Sequence, residues 1–336
     1  MDPASQQRIY DISFELTSRV IAPFVAFLRS DDLLYWPFLL SAFALGLAAF
    51  AVTRGLRTPG LLREFRRRHF SKDIWWHPSA RADYRFYIVN AILFPLIFGP
   101  VLISGAWLAG ALTGWLSALF GAGPALSGGV WVTVLYSVLF FLLYDFGRFL
   151  GHYVQHRFDV LWQFHKVHHS AEVLTPFSNA RAHPVDLLCM WTFPHAFTGA
   201  ALGVFGYLFA EPVGIYTYLG LHVAIFAYNI VGNLRHTHIW LSYGPRLSQV
   251  FLSPAMHQIH HSTEERHFGR NIGYALSIWD GLFGTLYVPR NGEERFEIGL
   301  GDGSDARYRG VWRMYVLPLV DIAEGFRRRL TVSEPP

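Results

Sequence analysis

Residues 130–157 read VWVTVLYSVLFFLLYDFGRFLGHYVQHR. The stretch is uncharged from Val130 to Tyr144 and then carries Asp145, Arg148, His152 and His156 in quick succession. A helix this apolar belongs in a hydrocarbon core. Its two histidines, spaced i, i+4, share one face at its end. The rest of the chain has the same character: 52% of its 336 residues are hydrophobic and only 15% are charged, where a soluble domain carries about 25% charged residues.

Working outward, the uncharged runs are Leu33–Thr53 (21 residues), Phe86–Tyr144 (59), Leu187–Ala210 (24) and Pro212–Leu234 (23). A span needs roughly 20 apolar residues, so the longest run holds two, separated by the helix-breaking GAGPALSGG at 121–129. The expectation is five spans, at about 33–53, 86–111, 130–150, 186–209 and 213–235, in an all-α integral membrane protein. Arg54, Arg57, Arg63, Arg66, Arg67, Arg68 and Lys72 follow the first span, whereas 112–129 carries no charge. Basic loops stay cytoplasmic. This places 54–85, 151–185 and everything after 235 on the cytoplasmic face. The net charge of +4 reflects this asymmetry, and no basic segment forms a nucleic-acid motif.

Residues 1–32 lack the pattern of a cleavable signal peptide. Ile9, Ile12, Phe14, Leu16, Val20, Ile21, Phe24, Val25 and Leu28 fall mostly on one helical face, as in an interfacial amphipathic helix. The lone cysteine, Cys189, excludes an intrachain disulfide and a Cys-based metal site.

The chain has 16 histidines. His69, His77 and His267 read as loop residues. Others come in sets: His152 and His156; His165, His168 and His169 (HKVHH); His236 and His238; His257, His260 and His261 (HQIHH). Spacings of three and four on a helix turn imidazoles to one face. All four sets fall at the cytoplasmic mouth of the expected bundle. Neutral imidazole is the commonest metal-binding side chain and suits iron, zinc, copper and nickel. Nine such rings suit two metals with four or five nitrogens each. No Glu-x-x-His pattern of carboxylate-bridged sites accompanies them. Asp145, Asp186 and Asp280 are candidate partners for imidazole N–H groups, with capping as an equal reading for the last two. His195 and His222 lie inside spans, where an ionisable residue is either functional or a neutral ring bonded to a neighbouring helix.

HxxxH followed by two HxxHH sets on a membrane bundle resembles the integral-membrane fatty acid hydroxylase and sterol desaturase superfamily. The resemblance covers roughly 130–290. It includes YDFGRFLGHYVQHR, WQFHKVHHSAEVLTPFSNARAHPVD with its downstream His183–Pro184, and NIGYALSIWDGLFGTLYVP after the last box. It implies a catalytic domain at 130–290 with a cytoplasmic helical cap carrying the boxes. Residues 1–129 precede it with the first two spans, and a tail, 291–336, follows. It further implies a centre of two iron ions ligated by His152, His156, His165, His168, His169, His236, His257, His260 and His261. The reaction implied is O2-dependent hydroxylation of a lipid C–H bond, or desaturation, which begins with the same hydrogen abstraction. His183 matches a recurrent family position, and His238 stands where members vary. The second half is also similar to alkylglycerol monooxygenases, which use a pterin; those carry Glu directly after the HxxxH pair, where this chain has Arg157.

No nucleotide-binding GxGxxG or haem domain accompanies the boxes, so the electrons are expected from an external ferredoxin- or cytochrome-type partner. The basic loop 54–72 is a docking candidate for it and, more simply, a topology signal. Tyr153, Trp162, Phe164, Trp240 and Trp279 suit an interfacial belt or the walls of a lipid tunnel. The expected setting is a bacterial inner membrane with the site on its cytoplasmic face. A metal transporter would instead spread histidines along the spans. A zinc hydrolase would need a carboxylate base that the boxes do not supply.

Overall fold

Inside a bilayer every backbone N–H and C=O needs an internal partner, a demand that helices meet alone. A computed structural model of the chain describes residues 21–55, 58–98, 104–290 and 292–332 and is mostly helix, with almost no strand among the described residues. The main helices are α1 (Trp36–Arg54), α2 (Leu61–His69), α3 (Pro78–Phe98), α4 (Gly105–Phe120), α5 (Val130–Arg157), α6 (Asp159–His169), α7 (Pro184–Leu208), α8 (Val223–Gly232), α9 (Pro254–His260), α10 (Ile278–Phe283) and α11 (Val311–Val332). Most of the expected N-terminal amphipathic helix lies outside the described residues. Residues 21–25 are helical and lead into a 3-10 turn at Ala26–Leu28.

Three helices, α1, α5 and α7, are long and apolar enough to cross a membrane. Only 28%, 22% and 28% of their apolar windows are buried in the molecule, which leaves broad apolar faces for lipid. Among the described residues these are the three candidate spans, matching those expected at 33–53, 130–150 and 186–209; the other two expected segments differ in form. The segment 86–111 is divided between α3 and α4. The first half of α3 carries Arg81, Asp83 and Arg85, and Gly99–Pro100 lies between the two helices. Both helices pack against α7. Ser79 bonds Arg181 near the start of α7, while Leu126 N donates to Leu208 O at its end (2.9 Å). The segment 213–235 holds a hairpin, β1 (Thr217–Tyr218) against β2 (Leu221–His222), and then the ten-residue α8. Positive φ at Leu219 and Gly220 makes the tight turn that ends any helix there.

Small residues set the helix spacing. A Cβ at Gly199 or Gly203 of α7 would lie 2.7 Å from Gly105 O or 2.8 Å from Ala109 O of α4. A Cβ at Gly147 of α5 would lie 2.4 Å from Pro194 Cα of α7, and one at Gly151 would lie 2.9 Å from Cys189 O. Backbones this close are typical of packing between small residues in membranes. They fix the end of α5, and so His152, against the start of α7. Outside the spans, Ala82, Phe86, Val167, Tyr308 and Met314 form one buried cluster joining α3, α6 and α11. Ala42, Phe50, Phe65, Leu234 and Ile239 form another, which backs the turn carrying His236.

Candidate metal centre

Three helices and one turn deliver the histidines. α5 ends at Arg157, one extended residue (Phe158) reverses the chain, and α6 starts at Asp159. α9 is short but well started. The Ser253 side chain accepts from Met256 N, and Pro254 sits in the first turn, where it lacks only a hydrogen that would go unused. The Gln258 side chain of α9 donates to Leu234 O (3.2 Å) and Ile239 O (2.8 Å), tying α9 to the 3-10 turn Asn233–His236.

All nine histidines of the sequence pattern come together, in two groups. His152, His156, His165, His169 and His260 form the first; His168, His236, His257 and His261 form the second. In each group one ring nitrogen of every member lies within 4.8 Å of the others. The two HxxHH sets are divided in opposite senses. α6 gives its i and i+4 rings to the first group and its i+3 ring to the second, and α9 does the reverse. His152 Nε2 is 2.9 Å from His165 Nε2, 3.1 Å from His260 Nε2 and 3.3 Å from His156 Nε2. His257 Nε2 is 3.0 Å from His236 Nε2 and 3.3 Å from His261 Nε2. Metal–imidazole bonds of about 2.0–2.1 Å place adjacent ligand nitrogens roughly 2.9–3.4 Å apart, which matches this spacing.

The outer nitrogens decide what the inner ones present. Nδ1 of His152, His168 and His260 faces the carbonyls of Ile272 (2.6 Å), Arg181 (3.2 Å) and Arg270 (2.7 Å). A carbonyl only accepts, so Nδ1 carries the hydrogen and Nε2 offers a lone pair inward. His165 Nδ1 donates to Asp186 Oδ2 at 3.1 Å, and His236 Nδ1 to Ser178 Oγ at 3.1 Å. Burial, with neighbouring imidazoles adding to it, pushes His168 and His260 down to about 3 and holds His169, His236, His257 and His261 well below the ordinary 6.5. Neutral rings with lone pairs converging on one point repel each other unless a cation sits there. These residues therefore fit metal ions.

Around the rings stands a shell that the spacing rules did not single out. Arg181 is wholly buried and donates to Val167 O (3.0 Å), Ser79 Oγ (2.9 Å), Asp83 Oδ1 (2.8 Å), Ser170 Oγ (2.9 Å) and Tyr308 O (3.1 Å). It fixes the carbonyl that holds His168. A lone arginine in the string NARAHP was the only signal for it. Asp186 takes an imidazole N–H as expected, but Asp145 and Asp280 do not. Asp145 accepts from Ala275 N (2.8 Å), Leu276 N (3.2 Å) and Trp279 Nε1 (2.9 Å). Asp280 accepts from Ile272 N (2.7 Å), Gly273 N (3.0 Å) and Thr285 Oγ1 (2.6 Å). Both carboxylates lock the loop whose Ile272 carbonyl receives His152.

The remaining histidines join neither group. His183 accepts from Val185 N and faces Tyr315 O; His222 accepts from Ala224 N and faces Ser137 O. Both nitrogens of each are therefore spent. His195 Nδ1 faces Trp191 O, one helical turn back, and His238 Nε2 accepts from Leu174 N. His69 and His267 are buried, unlike loop residues: His69 packs on Phe50 and Phe65, and His267 bonds Ser262 Oγ.

Two spaces reach the histidines. A cavity of about 390 Å³, lined by Asp159, Trp162, Lys166 and Asp302, meets the first group from the polar side. Trp162 covers His156 and His169 there, with ring centroids at 5.2 and 5.3 Å. On the other side a cavity of about 90 Å³ touches His152, His165, His168, His236 and His257. Through Arg148, Met190 and Tyr274 it borders a wider one of about 330 Å³ between α5 and α7. Its walls are Phe140, Tyr144, Trp191 and His195, which also line a groove of about 540 Å³ on the flank of the bundle. Trp191 and Leu202 in that groove are 46% and 40% exposed. Of the aromatics expected near the boxes, Trp162 alone touches a grouped imidazole; Tyr153 and Trp279 pack around Phe146, Phe149 and Phe283.

Residues 137–285 match the fatty acid hydroxylase family. An ornithine lipid hydroxylase of Rhizobium tropici is 31% identical over 159 residues, 47% of this chain and 44% of that protein. Human alkylglycerol monooxygenase is 24% identical over 147 residues, 44% of this chain and 29% of that enzyme. A Δ7-sterol 5(6)-desaturase of Gibberella zeae is 26% identical over 175 residues, 52% and 44%. The chain thus spans less than half the length of these relatives. No solved structure matches it. The matched segment contains all nine grouped histidines, and over that segment the chain is similar to membrane fatty acid hydroxylases and sterol desaturases.

Proposed function

We propose that the chain is an O2-dependent membrane oxidoreductase that hydroxylates an unactivated C–H bond of a lipid, with two irons held by the nine histidines. The observation that carries this reading is the convergence of buried, neutral imidazoles in groups of five and four. An unactivated C–H bond offers neither an acidic proton nor a carbonyl. Iron supplies the redox chemistry that such a bond requires. Hydroxylation places one atom of O2 in the C–H bond and reduces the other to water with two electrons and two protons. The electrons come from an external ferredoxin- or cytochrome-type donor. The chain's own part is positional: Asp186, Ser178 and three backbone carbonyls hold hydrogens on the outer nitrogens, and the groove between α5 and α7 keeps a lipid tail away from water.

The activities named for the relatives support a lipid substrate. Desaturation is the second reading, favoured by the Gibberella relative; with the same inputs it removes a second hydrogen and yields two waters. The basic segment after α1 and the uncharged 121–129 support a cytoplasmic site in a bacterial inner membrane.

The test is metal analysis with Mössbauer spectroscopy on protein purified from cells grown on ⁵⁷Fe. Roughly two irons per chain are expected, with a loss from different groups in His168→Ala and His260→Ala. Zinc alone, or no tightly bound metal after anaerobic iron loading, would overturn the oxidative reading.

A further inference from the structure

The small cavity beside the histidines is lined by two guanidinium groups, Arg148 and Arg235, and by one acidic residue, Asp186, whose carboxylate already holds His165. Arg235 is 5% exposed, and its only hydrogen bond among the described residues is a long one, Nε to Gly232 O at 3.4 Å. Arg148 donates to Met190 O, and its Nε is buried without a partner. Both lie over the Tyr274 ring, at 4.8 and 5.1 Å from its centroid, and Arg235 also lies over Tyr228 at 4.9 Å. Among the described residues neither forms an ion pair. The oxygens of Asp145, one turn before Arg148, are taken by Ala275, Leu276 and Trp279. The imidazoles add no negative charge. Two cations thus share one aromatic ring in a buried space; the carboxylates of Asp145 and Asp186 temper their charge from nearby, but spend their oxygens on other donors and leave guanidinium N–H groups open to a ligand.

We propose that Arg148 and Arg235 form a clamp for the acidic group, carboxylate or phosphate, of an anionic lipid substrate. Planar guanidiniums with free donors match such oxyanions bidentately. The small cavity takes the head, and the tail runs into the wider space walled by Phe140, Tyr144 and Trp191. The loop carrying Tyr274 is pinned by Asp145 and Asp280, so the clamp is built before the substrate arrives. Because the same cavity touches five of the nine histidines, the carbon attacked lies within a few bonds of the acidic group. The proposal deepens the lipid oxygenase reading and rests on it for the substrate class.

The test uses the full chain in dodecyl maltoside and measures binding calorimetrically. Dodecanoate and monododecyl phosphate are compared with dodecanol, acetate and inorganic phosphate. At least one of the two anionic amphiphiles is expected to bind about tenfold more tightly than dodecanol. Arg148→Gln should erase that preference, and Arg148→Lys should keep part of it. Arg235→Lys and melting temperatures guard against a folding defect at the more buried position. Equal binding of anion and alcohol, or a preference unchanged in Arg148→Gln and Arg235→Gln, overturns the clamp. Acetate or inorganic phosphate binding as tightly as the amphiphiles overturns it as a lipid site. Metal content is measured on the same samples. Full metal without anion preference fails the clamp alone, and anion preference without redox metal fails the oxygenase reading alone.

Discussion

His165 and His168 sit one turn apart on α6 yet serve different groups, and each is aimed by the partner of its outer nitrogen. Asp186→Asn tests this aim. It should weaken metal affinity about 10–100-fold while leaving the melting temperature nearly unchanged, as read by metal titration and thermal unfolding. The depressed basicity of the rings has a second consequence. His168 and His260 take a proton only near 3 in the fold, but near 6.5 when unfolded. The unfolded chain then binds more protons between these values, so stability falls as pH drops from about 6.5 towards 3. Each such histidine contributes about 1.4 kcal/mol per pH unit to that loss. Melting of chelator-treated protein in detergent at pH 8, 7, 6 and 5 should show a plateau and then a decline. Stability unchanged from pH 7 to 5 would contradict it. The nine rings are legible in the sequence because spacings of three and four are local. Arg181 is not, since nothing local tells a buried, five-bonded arginine from one at the surface.

At the level of helices, the division into five and four depends on how α5, α6 and α9 cross, and no periodicity records a crossing. The tight contact at Gly147 is part of what sets it. Gly147→Ala would drive a Cβ into the Pro194 backbone and push the end of α5 away from α7. We expect about 1–3 kcal/mol of destabilisation and reduced metal content. Gly114→Ala on α4, with open space around it, should change neither. Element-scale legibility follows the same line. α1, α5 and α7 are read correctly from uncharged length. The division of 86–111 between α3 and α4, and the hairpin before α8, are not, because hydropathy counts apolar residues and does not register where a helix stops, as where Leu219–Gly220 turns the chain.

At the scale of the whole molecule, the apolar helices α1, α5 and α7 alternate with segments that carry most of the charge, and that contrast is legible in the sequence. The clamp and the two cavities are legible only in three dimensions, since Arg148 and Arg235 are 87 residues apart and meet over Tyr274. The flank groove between α5 and α7 has a kinetic meaning. A lipid that reaches the histidines through it never dissolves in water, so the enzyme samples a two-dimensional solution. Turnover should then follow the mole fraction of substrate in the bilayer or mixed micelle. Adding inert detergent at constant bulk substrate should slow the reaction by surface dilution, and adding water to the same micelles should not.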